Sequence, residues 1–361
     1  MDAHQLKVVL FKTFPGKIYK KYRRRYLEGK KINELAGLHH LKVDEKLVQD
    51  IYDSMGHYHV SIDEYFKFAF YKQSVDERRE FVPEEEWYLF CDRMNQEENR
   101  RLFNAKVLTY GIYKPFYMRE VVGFDYVKGD RINDLVSKYK DEFIAFARKH
   151  RTFIVKPMLG SLGAGVAMWT VDETCDDAYL EKLLKSFLKK TGPQGGFVLE
   201  ERIGQVEEMA KLHPKSVNTL RMTTIRFDDR VEIIHPILKI GRGDSVADNG
   251  MAGGILTTLD ENGRIKAASD KNGILYSRLN DIGIDLMGWQ VPCWREALDF
   301  ARRLAMVMPS NRYTGWDIAL TPGGWCMVEG NARGQFVWQI PDRKGFRTEI
   351  NNILAELKLS I

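Results

Sequence analysis

The segment from residue 315 to 334, GWDIALTPGGWCMVEGNARG, constrains the fold more than any other part of the chain. Two apolar runs are joined by Pro-Gly-Gly, which predicts two strands and a tight turn. Residues two apart on a strand share a face, so Glu329 and Asn331 point the same way and Asp317 joins them from across the hairpin. Such hard oxygen donors suit Mg²⁺, with a second ion shared through Glu329. As an ordinary charged hairpin, the segment would leave unpaired charge among apolar side chains, which is costly.

A strand that ends in a lysine and runs into a glycine-rich loop forms the second motif, FIVKPMLGSLGAGV over residues 153–166. Backbone amides in such a loop approach phosphate oxygens without side-chain clashes, and Lys156 adds a positive charge beside them. The lysine precedes the glycines, whereas in a Walker A loop it follows them. Taken alone, the motif is as consistent with a tight turn as with a phosphate site.

A third motif, FVLEERI over residues 197–203, is an apolar strand that ends in two carboxylates, followed by Glu207 and Glu208. Such a strand end can offer backbone groups to an adenine edge and a carboxylate to ribose hydroxyls. The competing interpretation is an acidic surface cluster. It is favoured when the motif is taken alone, because charged pairs after strands are common.

Composition narrows the class of partner and the compartment. The 55 lysines and arginines exceed the 50 acidic residues by too little for a dedicated nucleic-acid-binding protein, but the balance suits anionic small molecules. The cysteines have no CxxC spacing, so we expect no zinc and a reducing cytoplasm. The N-terminus lacks the pattern of a signal peptide, and no apolar run reaches about 18 residues, which predicts a soluble protein.

Periodicity divides the chain into α and β regions. Amphipathic helices are predicted from Tyr19 to about Arg101, then a helix, a turn and an extended segment in AKVLTYGIYKPFYM, then another helix up to His150. Short strands with few helices follow, which indicates an α+β fold. The predicted parts are a helical N-terminal region 1–101, a small α/β unit 102–150, a small lobe with the glycine-rich loop 151–204, and a large lobe with the metal hairpin 205–361.

A strongly basic stretch, KIYKKYRRRYLEGKK, occupies residues 17–31. It could bind an acidic lipid surface or a polyanionic glycan, which would allow peripheral contact with a membrane or a glycan-synthesis complex. A solvated helix face is the favoured interpretation, because the interleaved Tyr19, Tyr22 and Tyr26 can pack inward.

Together the motifs resemble the ATP-grasp superfamily: a lysine before a glycine-rich loop, a strand ending in Glu-Glu, and a hairpin with D…E-G-N, in this order. SVNTLRMTTIR and DNGMAGGI resemble its sugar-transfer-associated branch, and the resemblance covers roughly residues 99–340. It implies an ATP-grasp fold, in which two α+β lobes clamp ATP and Mg²⁺.

The resemblance also implies a nucleotide site. Lys156 would bind the α- and β-phosphates, Lys106 would reach the nucleotide from the preceding lobe, and Glu208 would hold the ribose. Glu200, Glu201 and Ile203 would form the adenine hinge. The full set implied is Lys106, Lys156, Gly160, Ser161, Gly163, Gly165, Glu200, Glu201, Ile203 and Glu208.

The remaining roles concern catalysis and the acceptor. Arg221, preceded by Asn218, would face the transferred phosphate and would act with Lys156. The implied magnesium ligands are Asp317, Glu329 and Asn331, and the implied loop over the phosphate or acceptor comprises Asp248, Asn249, Gly253 and Gly254. After Asn331 many amino-acid ligases continue to a Pro-Gly turn, whereas this chain has Ala-Arg-Gly, which leaves the acceptor open.

By this resemblance the chain is expected to be an ATP-dependent carboxylate–amine or carboxylate–thiol ligase that forms an acyl phosphate in polysaccharide or cell-envelope biosynthesis. Its substrates would be small-molecule or glycan carboxylates and amines. One alternative is a sugar or glycan kinase, which would need a general base such as Asp248. Another is a non-catalytic nucleotide-binding scaffold, against which the intact metal ligands argue.

Overall fold

Helices make up the N-terminal part of the chain. The computed structural model describes residues 14–160, 165–243, 253–279, 282–334 and 336–359. The first helices are α1 Phe14–Leu38, α2 Glu45–Tyr58, α3 Ile62–Lys67, α4 Val75–Glu80, α5 Glu84–Met94, α6 Glu97–Asn104 and α7 Lys106–Tyr117. Ser61 and Ser74 begin α3 and α4 with capping boxes, in which a serine and a glutamate satisfy each other's backbone amides. This confirms the helices predicted before residue 101.

A four-stranded antiparallel sheet forms the small lobe. Its elements are β1 Val121–Asp125, α8 Ile132–His150, β2 Thr152–Pro157, β3 Ala167–Thr170, α9 Asp177–Thr191 and β4 Gly196–Glu201, with strand order β1-β4-β2-β3. One face is covered by α8 and α9 through an aromatic core that includes Phe124, Phe153 and Phe197. On the opposite face, Val121 and Val198 pack into the core of the next lobe. The small sheet is therefore anchored to the rest of the molecule by one part of this second face.

A six-stranded antiparallel sheet with strand order β12-β11-β5-β6-β7-β8 forms the large lobe. Its elements are α10 Glu207–Ala210, β5 Thr219–Arg226, β6 Val231–Ile240, β7 Ile255–Leu259, β8 Ile265–Ser269, α11 Trp294–Val307, β11 Tyr313–Thr321, β12 Gly324–Asn331, α12 Gln339–Asp342 and α13 Arg347–Glu356. A two-stranded ribbon, β9 Arg278–Leu279 and β10 Ile284–Asp285, lies before α11. One face of the large sheet packs on α7 and α11.

The N-terminal helices cover the other face of the large sheet. Phe66, Trp87 and Phe90 share one hydrophobic core with Ile225 and Ile237 of the sheet. In these contacts the helical region therefore shares its hydrophobic core with the large sheet. Within the described residues, no helix combines the length and the apolar character needed to cross a bilayer.

Two features differ from the sequence predictions. The segment AKVLTYGIYKPFYM was expected to turn after a helix, but α7 continues through Pro115 to Tyr117. Burial of Tyr113 and Tyr117 in the large-lobe core holds this last turn, which outweighs the hydrogen bond that proline cannot make. The unit 102–150 was expected to be separate from 151–204, whereas β1 pairs with β4 along its whole length and places both segments in one lobe.

Asn95, at the end of α5, joins the N-terminal helices to the metal hairpin. Its buried amide donates to the carbonyls of Tyr313 (2.7 Å) and Ala332 (3.0 Å) and accepts from the Tyr313 amide at 3.0 Å. These two residues lie at the start of β11 and just beyond the end of β12. One side chain thus fixes both outer ends of the hairpin.

We predict that Asn95→Ala lowers the free energy of unfolding by about 3 kcal/mol, because the substitution leaves buried backbone groups without partners. Urea denaturation measures the loss. Asn99→Ala is the matched control, since Asn99 donates to the hydroxyl of Ser310 at a more exposed position; a loss below about 1 kcal/mol is expected there. Equal losses in the two variants would contradict the role given to Asn95.

Candidate active site

The predicted metal hairpin forms as an antiparallel pair with a two-residue turn, which confirms the predicted strands. Asp317 lies directly opposite Glu329 in the register of β11 and β12. The Nδ2 of Asn331 donates to Oε1 of Glu329 over 3.2 Å. The structure therefore brings the three predicted oxygen donors together on one face of the hairpin.

Asp317 is buried and is held by two cationic side chains. Arg221, its neighbour in the register on β5, donates from Nε to Oδ1 at 2.5 Å and from Nη2 to Oδ2 at 2.9 Å. Lys239 of β6 donates to Oδ2 at 2.9 Å. Burial alone would raise the pKa of Asp317, but Arg221 and Lys239 more than offset it and hold the pKa well below its ordinary value.

Two glycines make room for the guanidinium of Arg221. A side chain at Gly315 would come within 3.0 Å of Cδ of Arg221, and one at Gly334 would come within 3.3 Å of Nη1. Tyr313 fixes Gly334 by donating its hydroxyl to the carbonyl there at 2.7 Å. The backbone at Gly315 and Gly334 thus limits where the Arg221 side chain can lie.

The side chain of Glu329 is open to solvent, although many protein atoms lie around it. Desolvation by this surrounding protein raises the pKa of Glu329, and the nearby charge of Asp317 raises it further. Two carboxylates this close are relieved by a cation between them, and with the amide of Asn331 they offer the hard oxygens that Mg²⁺ takes. The residues therefore fit a magnesium ion, provided that Asp317 shares or gives up a contact with Arg221 or Lys239.

The oxygen donors of this hairpin suit a hard cation such as Mg²⁺ rather than a soft metal. Within the described ranges, no group of three or more His, Cys, Asp or Glu side chains lies together in a way that could hold a metal ion. Two carboxylates and an amide instead leave coordination positions for water and phosphate oxygens, as magnesium sites in nucleotide-binding proteins do.

The small lobe contributes a second buried carboxylate with two cations. Lys156 on β2 donates to Oε2 of Glu200 on β4 at 2.9 Å, and Nη2 of Arg119 donates to the same oxygen at 2.8 Å. Burial would raise the pKa of Glu200, but Lys156 and Arg119 more than offset this and lower the pKa to about 2. Glu200, which was predicted for the adenine hinge, thus pairs with Lys156, which was predicted to bind phosphate.

Lys106 at the start of α7 lies where the charges of the two lobes meet. Its ammonium donates to the carbonyl of Gly160 at 3.0 Å. Burial lowers the pKa of Lys106 and the charge of Lys156 lowers it further, whereas Glu329 and Glu200 act in the opposite direction. The charges of both lobes therefore act on Lys106.

An apolar surface continues outward from these charges on the small sheet. Ile154 and Met168 are register partners on β2 and β3, and Ile154 also pairs with Glu200. Met168 is 39% exposed, which is high for a large apolar side chain on a sheet face. A nucleotide base fits this kind of surface beside a phosphate lysine.

The glycine-rich loop is described at its two ends only. Gly160 and Gly165 have φ values of 129° and 77°, which side chains other than glycine rarely adopt. A side chain at Gly165 would also come within 2.8 Å of Pro157. The predicted contacts of Ser161 and Gly163 lie outside the described residues.

The other predicted hinge and ribose residues lie at or beyond the end of β4. The carboxylate of Glu201 accepts from the Glu120 amide at 3.1 Å, which ties the strand end to the residue before β1. Ile203 is partly buried, and Glu208 is exposed on α10. The nucleotide contacts of these residues stay predictions.

Asn218 is buried before β5, where its side chain bonds to backbone. Its side chain is fully buried, donates to the carbonyls of Met209 (2.7 Å) and His213 (3.1 Å), and accepts weakly from the Gly241 amide. These bonds hold the segment before β5 and thereby place Arg221. A catalytic contact of Asn218 stays a prediction.

The predicted acceptor loop is described only at its C-terminal end. Gly253 has a φ of 94°, and Gly254 is buried just before β7. Asp248 and Asn249 lie outside the described residues, so their roles stay predictions.

Sequence reasoning missed Arg119 and Lys239. Lys239 is the charged residue in the otherwise apolar run HPILKI, and the alternation of β6 places it on the same face as Ile237, which pairs with Arg221. That pattern could have identified it. Arg119 precedes β1 outside any motif, and only the pairing of β1 with β4 brings it to Glu200.

Residues 88–355 match the family described as sugar-transfer associated ATP-grasp. The match covers most of the chain, so the protein belongs to the sugar-transfer-associated ATP-grasp family and has an ATP-grasp fold. No curated protein matches the sequence.

Solved structures give distant likenesses. The ATP-grasp ligase PsnB, complexed with minimal precursor, Mg and ADP, is 12% identical with a TM-score of 0.40, over 73% of this chain and 62% of that one. D-alanyl-alanine synthetase A from Vibrio cholerae O1 biovar eltor str. N16961 is 11% identical with a TM-score of 0.40, over 72% and 65%. D-cycloserine synthetase DcsG is 14% identical with a TM-score of 0.41, over 75% and 78%. The chain thus spans less than two thirds of the first two, and such distant likenesses decide nothing about its substrates.

We predict that Glu200→Gln reduces the dependence of the free energy of unfolding on pH in the acidic range. Because folding lowers the pKa of Glu200 from 4.5 to about 2, its ion pairs contribute fully above the upper value and are lost as the pH falls through the lower one. In that window the unfolded chain binds a proton that the folded chain does not, so the free energy of unfolding falls by up to about 1.4 kcal/mol per pH unit. Urea denaturation at a series of acidic pH values should show this smaller slope in the variant. Identical slopes would contradict the charge state assigned to Glu200.

Proposed function

We propose that the protein is an ATP-dependent ligase that activates a carboxylate as an acyl phosphate and transfers the acyl group to an amine or a thiol. The observation that carries this proposal is that two charge clusters lie within electrostatic range of each other. Lys156 pairs with Glu200, and the charges of Lys156 and Glu329 both act on Lys106. Arg221 pairs with Asp317, which lies opposite Glu329. This arrangement suits the triphosphate of ATP with its magnesium.

Each residue then has a part that follows from its position. Lys156 and Lys106 bind the phosphates of ATP, and Arg221 approaches the γ-phosphoryl group from the large lobe. Asp317, Glu329 and Asn331 would hold one or two Mg²⁺, which neutralise charge on the phosphate oxygens when bound. Catalysis depends mainly on alignment and on this fixed positive charge, because an ionised carboxylate needs no base to attack.

In the proposed reaction an oxygen of the substrate carboxylate attacks the γ-phosphorus of ATP. The bond from phosphorus to the bridging oxygen breaks, and ADP leaves with that oxygen and its electron pair. An amine then attacks the acyl carbon, phosphate leaves, and the nitrogen loses its proton to give an amide. Among the described residues, the buried carboxylates Glu200 and Asp317 are each held by two cations, which makes them poor bases for a hydroxyl substrate.

The family description supports a place in polysaccharide or cell-envelope biosynthesis, with glycan or small-molecule carboxylates and amines as substrates. We propose this setting together with the reaction. A pool of uronic acids, amino acids and amines, incubated with the protein, ATP and Mg²⁺ and followed by mass spectrometry of the products, identifies the pair used.

We predict that Glu329→Gln abolishes turnover and leaves the fold intact, because the volume is kept while the charge that would bind metal is lost. Steady-state rates of ADP formation with the identified substrates measure the effect. Glu97→Gln, which removes an exposed charge paired with Arg101 on α6, should keep the wild-type rate. Turnover of the Glu329 variant within about tenfold of wild type would show that the metal assignment is wrong.

The products decide between a ligase and a kinase. We expect ADP and inorganic phosphate in equal amounts, and hydroxylamine added with the acid substrate should trap the acyl phosphate as a hydroxamate. A kinase would instead keep the phosphate on its product. Stoichiometric ADP with no free phosphate, no hydroxamate and a phosphorylated sugar would replace the ligase with a sugar kinase.

A further inference from the structure

Arg119 connects the two lobes from a buried position. It follows α7 and precedes β1, and its side chain is only 4% exposed. On the small-lobe side Nε and Nη2 donate to Oε2 of Glu200 at 3.2 and 2.8 Å. On the large-lobe side Nη1 donates to the carbonyl of Met327, and Nη2 lies 3.3 Å from the carbonyl of Val328. A single guanidinium therefore bonds to both sheets.

The two ends of this connection are next to the predicted ligand sites. Glu200 also accepts from Lys156, the residue assigned to the phosphates. Met327 and Val328 immediately precede Glu329, the residue assigned to the metal. A continuous path of contacts thus runs from the phosphate lysine through Glu200 and Arg119 to the metal strand.

We propose that Arg119 is a positioning residue that fixes Lys156 relative to Glu329 and so couples the binding of nucleotide phosphate to the binding of Mg²⁺. The inference rests on the proposed function, because it takes ATP and Mg²⁺ as the ligands of the cleft. Arg119 itself is too deeply buried to contact either ligand, and it acts through the groups that it holds.

Arginine is suited to this position for two reasons. Its planar guanidinium carries five donors, so it can serve a carboxylate and several carbonyls at once, whereas the ammonium of lysine is a single point of charge. The ring of Tyr117 lies 4.6 Å from the guanidinium carbon and supports the plane of the group. A lysine at residue 119 could pair with Glu200 but could not keep the bonds to β12 as well.

The loss of Arg119 should act on both ends of the path. With a methionine there, Lys156 becomes the remaining cation of the pair with Glu200, so its ammonium is drawn toward that carboxylate and away from a phosphate. The carbonyls of Met327 and Val328 lose their donor, so the segment before Glu329 is no longer tied to the small lobe.

The test is the dependence of nucleotide affinity on magnesium. Calorimetric titration with a non-hydrolysable ATP analogue, with and without Mg²⁺, gives the factor by which the metal tightens binding. We expect this factor to fall by about tenfold or more in Arg119→Met, which is the usual size of a coupling between sites. Arg119→Lys should lose the coupling as well, although it retains the charge beside Glu200.

Arg78→Met is the matched control. Arg78 is a partly buried arginine, bonded to Asp50 and to the carbonyl of Phe70 in the N-terminal helices. Its loss should lower the urea midpoint as the loss of Arg119 does, while the magnesium factor stays at the wild-type value. The control separates a general loss of stability from a loss of coupling.

The outcomes distinguish the inference from the proposed function. If the wild-type protein does not bind the analogue even with Mg²⁺, the proposed function is wrong and the inference fails with it. If the wild type shows the magnesium effect and folded Arg119→Met or Arg119→Lys keeps it within about twofold, the proposed function stands and the role of Arg119 is wrong.

Discussion

The charges of the cleft must be paired, and the arrangement of both lobes follows from this constraint. Removing one partner from a buried ion pair costs about 3 to 5 kcal/mol, so a buried carboxylate fixes the groups around it. Asp317 fixes Arg221 and Lys239, and Glu200 fixes Lys156 and Arg119. These pairs hold the cations that we propose for phosphate binding in place before a ligand arrives, which would lower the entropy lost on binding.

The N-terminal helices belong to the same folded body as the large lobe, because they cover one face of its sheet and supply Asn95 to both ends of the predicted metal hairpin. Asp92 of α5 extends this contact by pairing with Arg333, two residues after Asn331. The Ala-Arg-Gly segment forms a turn closed by the Gly334 amide, which donates to the Asn331 carbonyl at 3.3 Å. The N-terminal region holds this turn through Asn95 and Asp92.

Sequence reasoning succeeded where the information was local. Alternation and a tight turn predict the two strands of the hairpin, and the structure confirms them, but a β-bulge between Asp317 and Ile318 is what places Asp317 opposite Glu329. The contact between Arg119 and Glu200 could not be predicted, because the two residues are far apart in sequence and meet only when β1 pairs with β4. The continuation of α7 through Pro115 was missed for the same reason, since burial in the large-lobe core decides it.

The resting contacts of Asp317 bear on how the proposed ligands would enter. Both of its oxygens accept from cations, so a metal ion arriving alone would have to compete with Arg221 and Lys239 for Asp317. A metal ion that arrives with phosphate brings the replacement with it, because the phosphate oxygens can accept from the released cations. The proposed large-lobe site would therefore take the metal and the phosphate as one unit, in agreement with the preference of Mg²⁺ for sites that include substrate phosphates.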